Sequence, residues 1–370
     1  MGQKILCAPD KFKGSLSAKR FTTIAQQVFG TECHPLPLAD GGEGSLAALA
    51  SIGRWDQVFC TVTGPEFQSL RAHYLFEPVS KTACIEMALA SGLSLVPPFH
   101  RNPRFTTTLG TGELVWQAWL RGAQTIYVFA GGSATHDAGI GLLAGCGYRW
   151  LDRNDYSLAP RGAALECITA IQPPDSLPPH PQIRIATDVR NPLTGPEGAA
   201  CQYAPQKGGS EDDIRRLEDA TRQFYHWVCS QFNRTFDAPG LGAAGGLALC
   251  PVAWWDAEIL PATNLLFDLL QVEEKIAATD VVVTGEGKLD KTSLQGKLVA
   301  AICHTARKYQ KEVWGVFGQV TLSPQELSQL GITRWITLSD LAGSAETAMR
   351  QADRWLPIAL NRLKSGQVFQ

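Results

Sequence analysis

Short apolar runs alternate with amphipathic stretches at both ends of the chain, and glycine-rich segments separate them. Lys4 to Ala8 is apolar and predicts a strand. After the loop Pro9 to Gly14, Ser15 is placed to cap a helix that carries Phe21, Ile24, Ala25 and Val28 on one face and stops at Gly30. The plan repeats with Cys33 to Leu38 as a strand, Ala39 to Gly44 as a loop and Ser45 opening a helix that ends near Gly53. Strands that alternate with helices imply a parallel sheet.

From about Asp56 to Pro97 the period shortens, and turn signals such as Thr63-Gly64-Pro65 predict hairpins. Strand, loop and helix resume later. Thr111 is placed to cap a helix through Leu120, Thr125 to Ala130 reads as a buried strand leading into Gly131-Gly132-Ser133, and Ile183 to Thr187 is a strand ending at Asp188. Ser210 with Asp213 has the form of a capping box for a helix carrying Ile214, Leu217, Phe224 and Val228. Asp280 to Thr284 predicts a strand running into the loop Gly285 to Asp290, with a helix from about Ser293 and another strand at Val313 to Phe317. The C-terminal part therefore has the plan of the N-terminal part. This predicts an α/β protein of two domains, one built from residues 1–65 and 260–370 and the other, 66–259, inserted into it.

Composition narrows the classes of partner. With 33 basic and 35 acidic residues the formal charge is -2, and no run of lysine and arginine occurs, so neither nucleic acid nor an anionic membrane is an expected partner. A small molecule is. The ten cysteines are scattered without a Cys-x-x-Cys pair, as in a chain of reduced thiols, and the N-terminus lacks the pattern of a secretory signal. A cytoplasmic protein, monomer or homodimer, is expected.

In open parallel sheets, ligands bind beyond the carboxyl ends of the strands, where loops precede helix N-termini. Four acidic loops fall there: Asp10 to Gly14, Asp40 to Gly44, Asp188 to Asn191 and Glu286 to Asp290. Glycines let a backbone approach an anion, carboxylates can hold a divalent metal that offsets a triphosphate, and Lys11, Lys13 and Lys288 add point charges. Gly131 to Asp137 has the composition of a phosphate nest. Taken singly, Asp10, Asp40 and Asp188 are as readily helix or turn caps, the lysines can be solvated, and Gly131 to Asp137 can be a tight turn before a helix. His136 lacks a second histidine or cysteine at ligand spacing. The P-loop signature, the protein-kinase set and the Gly-x-Ser-x-Gly elbow are absent. These residues by themselves lead to a small-molecule kinase or another phosphate-handling enzyme.

A longer ordered series is more specific. A-P-D-K-F-K-G-S-L-S-A (8 to 18), L-A-D-G-G-E-G-S (38 to 45), I-E-M-A-L-A-S-G-L (85 to 93), T-T-L-G-T-G-E-L (107 to 114), G-G-S-A-T-H-D-A-G (131 to 139), A-T-D-V-R-N-P-L-T-G (186 to 195), A-P-Q-K-G-G-S (204 to 210), P-G-L-G-A-A-G-G-L (239 to 247) and V-T-G-E-G-K-L-D (283 to 290) together resemble the bacterial type I glycerate kinases. The resemblance spans about residues 5 to 318 and is faint beyond Gly318.

It implies transfer of the γ-phosphate of ATP, with magnesium, to a hydroxyl of D-glycerate, usually the 2-hydroxyl. It also implies a flavodoxin-like domain made from both chain ends, with a second α/β domain inserted. The matching positions are Asp10, Lys13, Asp40, Glu43, Ser133, Asp137, Asp188, Asn191, Glu286 and Asp290. On this basis Asp188 is expected to act as base, with Asp10 and Lys13 also catalytic. Lys11, Asp40, Gly41, Gly42, Glu43, Gly131, Gly132, Ser133, Thr135, Asp137 and Asn191 are expected to bind substrate or phosphate, and Glu286 and Asp290 to hold magnesium, directly or through water. The chain departs from the family at His136, Ala138 and Gln295, where relatives usually carry Asn, Gly and His. Another short hydroxy acid as substrate, 3-phosphoglycerate as product, or a metabolite-binding protein without catalysis remain as alternatives.

Overall fold

The structure is a computed structural model that describes residues 2–291 and 298–367. Gln295 and the predicted helix start near Ser293 lie outside the described residues. The strands, in chain order, are β1 Ile5–Cys7, β2 Cys33–Pro35, β3 Asp56–Thr63, β4 Ser69–Glu77, β5 Thr82–Glu86, β6 Thr125–Phe129, β7 Arg149–Leu151, β8 Ala170–Gln172, β9 Gln182–Ala186, β10 Glu258–Leu260, β11 Val281–Leu289, β12 Glu312–Val320 and β13 Ile332–Thr337. The fold is α/β, in two units: Met1–Asp40, Ala47–Gly53 and Thr263–Gln370 form one, Gly41–Leu46 and Arg54–Ala262 the other.

In the first unit five parallel strands run in the order β13-β12-β11-β1-β2. Ile5 to Cys7 and Val281 to Val283 are buried along their whole length, as strands covered on both faces must be. Counted along the chain, the order is 2-1-3-4-5, the flavodoxin-like doubly wound arrangement, and it reverses between β1 and β11. Phe21, Ile24 and Phe29 of the helix Ala18–Phe29 pack with Ile5, Val283, Trp314 and the C-terminal Leu356, Leu360 and Leu363.

Two local expectations change here. Ser17, not Ser15, caps the first helix, accepting the N–H of Arg20 at 3.1 Å, while the Ser15 hydroxyl donates to the Met349 carbonyl at 2.6 Å. The segment Gly285 to Leu289 is strand, not loop. It pairs with β12 (Glu286 with Phe317, Lys288 with Gln319, Leu289 with Val320), because β12 extends far enough to offer ladder partners. Gly285 marks close approach within the sheet, since a Cβ there would stand 2.1 Å from the Val316 carbonyl oxygen.

In the second unit six strands run in the order β10-β9-β6-β5-β4-β3. β3, β4 and β5 are antiparallel neighbours, the hairpins that the sequence predicts, and β5, β6, β9 and β10 are parallel. The expected boundary at residue 65 falls in the β3–β4 turn. Because β3 pairs with β4 from Asp56 to Thr63, the hairpin stays whole and the unit's main segment begins at Arg54. Likewise β10 pairs with β9, which carries the other boundary to Ala262. The capping box Ser210/Asp213 opens the helix Glu211–Phe232 as predicted. Thr111 lies inside the helix Leu109–Leu120, whose cap is Thr108.

Candidate functional site

The carboxyl ends of β5, β6 and β9 carry three groups of interest in the second unit: Glu86, the loop Gly131 to Asp137, and Asp188 with Asn191. The segment Gly41 to Leu46 packs on the first two. A Cβ on Gly131 would stand 2.4 Å from the Gly42 Cα, so only glycine permits this approach, and Gly132, beside Glu43, has a φ of 77° that favours glycine. Glu86 secures the segment by accepting the N–H groups of Gly44 and Leu46, each at 3.1 Å. The predicted residues Gly41, Gly42, Glu43, Gly131, Gly132 and Ser133 are thereby brought together.

The Gly131–Ser133 turn is fixed from below. Its Gly132 carbonyl accepts from Leu93 N–H at 2.8 Å and Ala134 N–H donates to the Ser91 carbonyl at 2.9 Å. The N–H groups of Gly131, Gly132 and Ser133 meet no acceptor among the described residues, which leaves three successive donors on the turn. Beneath it lies Lys207, 3% exposed, whose Nζ donates to the Ser133 hydroxyl at 2.8 Å and to the Thr135 carbonyl at 2.7 Å. Burial pulls the Lys207 ammonium down to about 7, against the favourable charge of Asp137.

Three of the predicted binding residues are buried or engage groups of the protein itself. Asp137 is fully buried and accepts both the N–H and the hydroxyl of Thr108 at 2.8 Å, and Gly139 N–H at 3.2 Å, so its carboxylate serves the start of the helix Leu109–Leu120. Burial raises its pKa, and those hydrogen bonds oppose the rise. Thr135 is fully buried, and its Oγ1 has no hydrogen-bond partner among the described residues, a condition that costs about 1–3 kcal/mol. Asn191 commits both ends of its amide to the protein, donating to the Glu197 carbonyl at 2.8 Å and accepting from Tyr203 Oη at 2.7 Å. Asp188, by contrast, is exposed at the bend after β9.

The two departures in this loop are buried. His136 Nε2 lies 2.8 Å from Thr221 Oγ1; burial, then the charge of Lys207, lowers its pKa to about 3 and keeps the ring neutral. Ala138 has a φ of 53°, the left-handed region where a glycine fits without strain.

In the first unit Glu286 lies in β11, and Asp10 and Asp40 follow β1 and β2 in the chain, with the topological reversal between β11 and β1. Asp10 is buried, donates its N–H to the Gly285 carbonyl at 2.8 Å and accepts Lys11 N–H at 2.7 Å. Lys11 Nζ is 2.9 Å from Asp40 Oδ1, while Lys13 is exposed. Lys288 Nζ and Asp290 Oδ2 form a 3.5 Å pair. Glu286 lies within β11 and Asp290 just beyond its end. No group of three or more His, Cys, Asp or Glu able to hold a metal occurs among the described residues. Such donors suit magnesium, which binds through one or two carboxylates and keeps water and phosphate as its other ligands.

Lys207, Glu86, Thr108 and Thr221 are absent from the residues that the sequence singles out. Lys207 stands in the A-P-Q-K-G-G-S run and Glu86 ends an apolar strand, so both carried a signal. Thr108 stands in the T-T-L-G-T-G-E-L run and so carried one too, while Thr221 carried none.

Comparison with known proteins places the chain. The model of the glycerate kinase family matches residues 5–365. An uncharacterized protein of Synechocystis is 43% identical over 327 residues, 87% of each chain. A glycerate 2-kinase of Escherichia coli is 36% identical over 359 residues, 94% of each. A crystal structure assigned to glycerate kinase 2 of Salmonella typhimurium superposes with a TM-score of 0.80 at 34% identity, covering 99% of this chain and all of that one.

Proposed function

The chain belongs to the glycerate kinase family, and on that premise we propose that it moves the γ-phosphate of ATP, with magnesium, to the 2-hydroxyl of D-glycerate. As a member it is a kinase that phosphorylates glycerate, a phosphotransferase with an alcohol as acceptor. The finer reading gives 2-phospho-D-glycerate and ADP. The observation that carries it is the Gly131–Ser133 turn, with its unpaired N–H donors above the buried Lys207. Successive N–H donors of this kind suit an anionic oxygen. The glycerate 2-kinase relative supports the choice of hydroxyl.

Phosphoryl transfer asks the protein chiefly for position and charge. Asp188 is the proposed base, an exposed carboxylate at the end of β9 that takes the proton of the substrate hydroxyl as that oxygen bonds to phosphorus. Magnesium, when bound, offsets the charge of the phosphate chain; Glu286 is assigned to hold it and Asp290 to reach it through water. Asp10, Lys11, Lys13 and Asp40 are assigned to order and neutralise phosphate in the first unit. A cytoplasmic setting, where ATP is supplied, accords with ten free cysteines.

The test is phosphorus NMR of the product from D-glycerate, ATP and magnesium. A 2-phosphoglycerate resonance supports the proposal; 3-phosphoglycerate corrects the hydroxyl, and no product sinks it. For the base, Asp188→Asn should lower kcat about 10²–10⁴-fold while nucleotide binding persists. Near-normal turnover in a coupled ADP assay would remove Asp188 from that role.

A further inference from the structure

Lys207 has no place in the reaction as proposed so far, yet it is the buried cation under the donor turn. Its Nζ reaches two successive anchors of the same loop, the Ser133 hydroxyl at 2.8 Å and the Thr135 carbonyl at 2.7 Å. The lysine arrives there on a stiff support. The turn Pro205–Lys207 closes onto the Ala204 carbonyl, and Gly208, with a φ of 84°, lies so close to the chain that a Cβ would stand 2.2 Å from the Arg101 carbonyl oxygen.

We propose that Lys207 is a positioning residue that turns the Ser133 hydroxyl outward, as a donor to an anionic substrate oxygen seated on the Gly131–Ser133 turn. An ammonium has three protons and no lone pair, so the Ser133 oxygen can only accept from it. The hydroxyl proton must then point elsewhere. Ser133 is 8% exposed where Lys207 is 3% and Thr135 fully buried, so the open direction is outward, beside the N–H groups of the turn. The proposal rests on the reading of that turn as an anion site. It deepens it by adding a fourth donor whose direction is set from within.

The same chemistry makes the donor sensitive to proton concentration. A neutral amine has a lone pair and can accept from Ser133, which lets the hydroxyl turn inward. The titratable groups that face the ammonium are Asp137, whose charge favours it, and His136, which stays neutral. With burial holding Lys207 near 7, the outward donor is present below that value and fades above it. The anionic oxygen can be the carboxylate of glycerate or a phosphate oxygen of the nucleotide, and the two are told apart by which constant moves.

Steady-state kinetics of the full chain at pH 6.5 and 8.5 test this for the wild type, Lys207→Met, Ser133→Ala and the double variant. At pH 6.5 each single variant should raise one KM, for glycerate or for ATP, by about tenfold, and the double variant no further, because both remove one device. The rise of that KM with pH in the wild type should vanish in Ser133→Ala. If Lys207→Met fails to fold, judged by circular dichroism, Ser133→Ala alone still decides. A pH dependence that survives Ser133→Ala, or additive effects in the double variant, overturns the inference. Titration with glycerate and with inorganic phosphate reads the turn without turnover. A chain inactive on glycerate that binds either anion with this pH dependence upholds the inference and removes the substrate assignment. A chain active on glycerate with KM values indifferent to Ser133→Ala does the reverse.

Discussion

His136 Nε2 and Thr221 Oγ1 stand 2.8 Å apart in a buried contact that ties the Gly131 to Asp137 loop to the helix Glu211–Phe232. The ring is neutral in the folded chain, with its pKa lowered to about 3 first by burial and then by Lys207. In the unfolded chain it takes up a proton near 6.5. Between those values the unfolded state holds the extra proton, so stability is full above about 6.5 and is lost as pH falls, by about 1.4 kcal/mol per pH unit. His136→Asn should flatten that slope. Urea unfolding at pH 6.5, 5.5 and 4.5 provides the comparison, and parallel losses in both proteins would show that His136 is not kept neutral.

Glu86 holds the Gly41 to Leu46 segment through two charge-assisted hydrogen bonds to Gly44 and Leu46. Glu86→Gln keeps the shape, removes the charge and replaces one acceptor by a donor. A loss of about 1–3 kcal/mol is expected, with a raised substrate KM because the segment packs on Gly131 and Gly132. Thermal unfolding with parallel kinetics checks it; unchanged KM would separate this segment from substrate binding.

Gly245 has a φ of 73°, and a Cβ there would stand 2.3 Å from the Thr135 carbonyl oxygen that Lys207 uses. Gly245→Ala therefore combines left-handed strain with overpacking. The expected cost is about 2–5 kcal/mol. Denaturant midpoints would contradict this if they moved by less than the cost of an ordinary surface substitution.

Glu286 lies within β11 and Asp290 just past its end, so their proposed roles toward magnesium should separate. Asp290→Asn should raise the magnesium concentration for half-maximal rate about tenfold while leaving the rate at saturation near wild type. Glu286→Gln should lower the saturated rate itself. Identical magnesium curves for Asp290→Asn and wild type would remove Asp290 from metal binding.

Much of this was legible along the chain because it depends on neighbours within one or two turns. The apolar runs of β1, β6, β9, β11 and β12, the capping box at Ser210 and Asp213 and the hairpins after Asp56 are local patterns. The glycine-rich spelling of the loops carried the family as well. Strand length was not local: Glu286 to Leu289 look like a loop until β12 supplies partners, and Ser15 looks like a cap until its hydroxyl finds Met349.

The α/β class, the acidic and glycine-rich loops and the family to which they belong can all be read along the chain, because spelling and periodicity are properties of short segments. Which polar residues turn to partners within the protein depends on the folded chain. Asp137 became a support for Thr108, Asn191 a clasp for its own loop, and Lys207, one lysine in a glycine-rich stretch, the buried cation under Ser133. Burial is settled by residues far away in the chain, and with it a side chain's charge, its partners and the direction in which it can donate a proton.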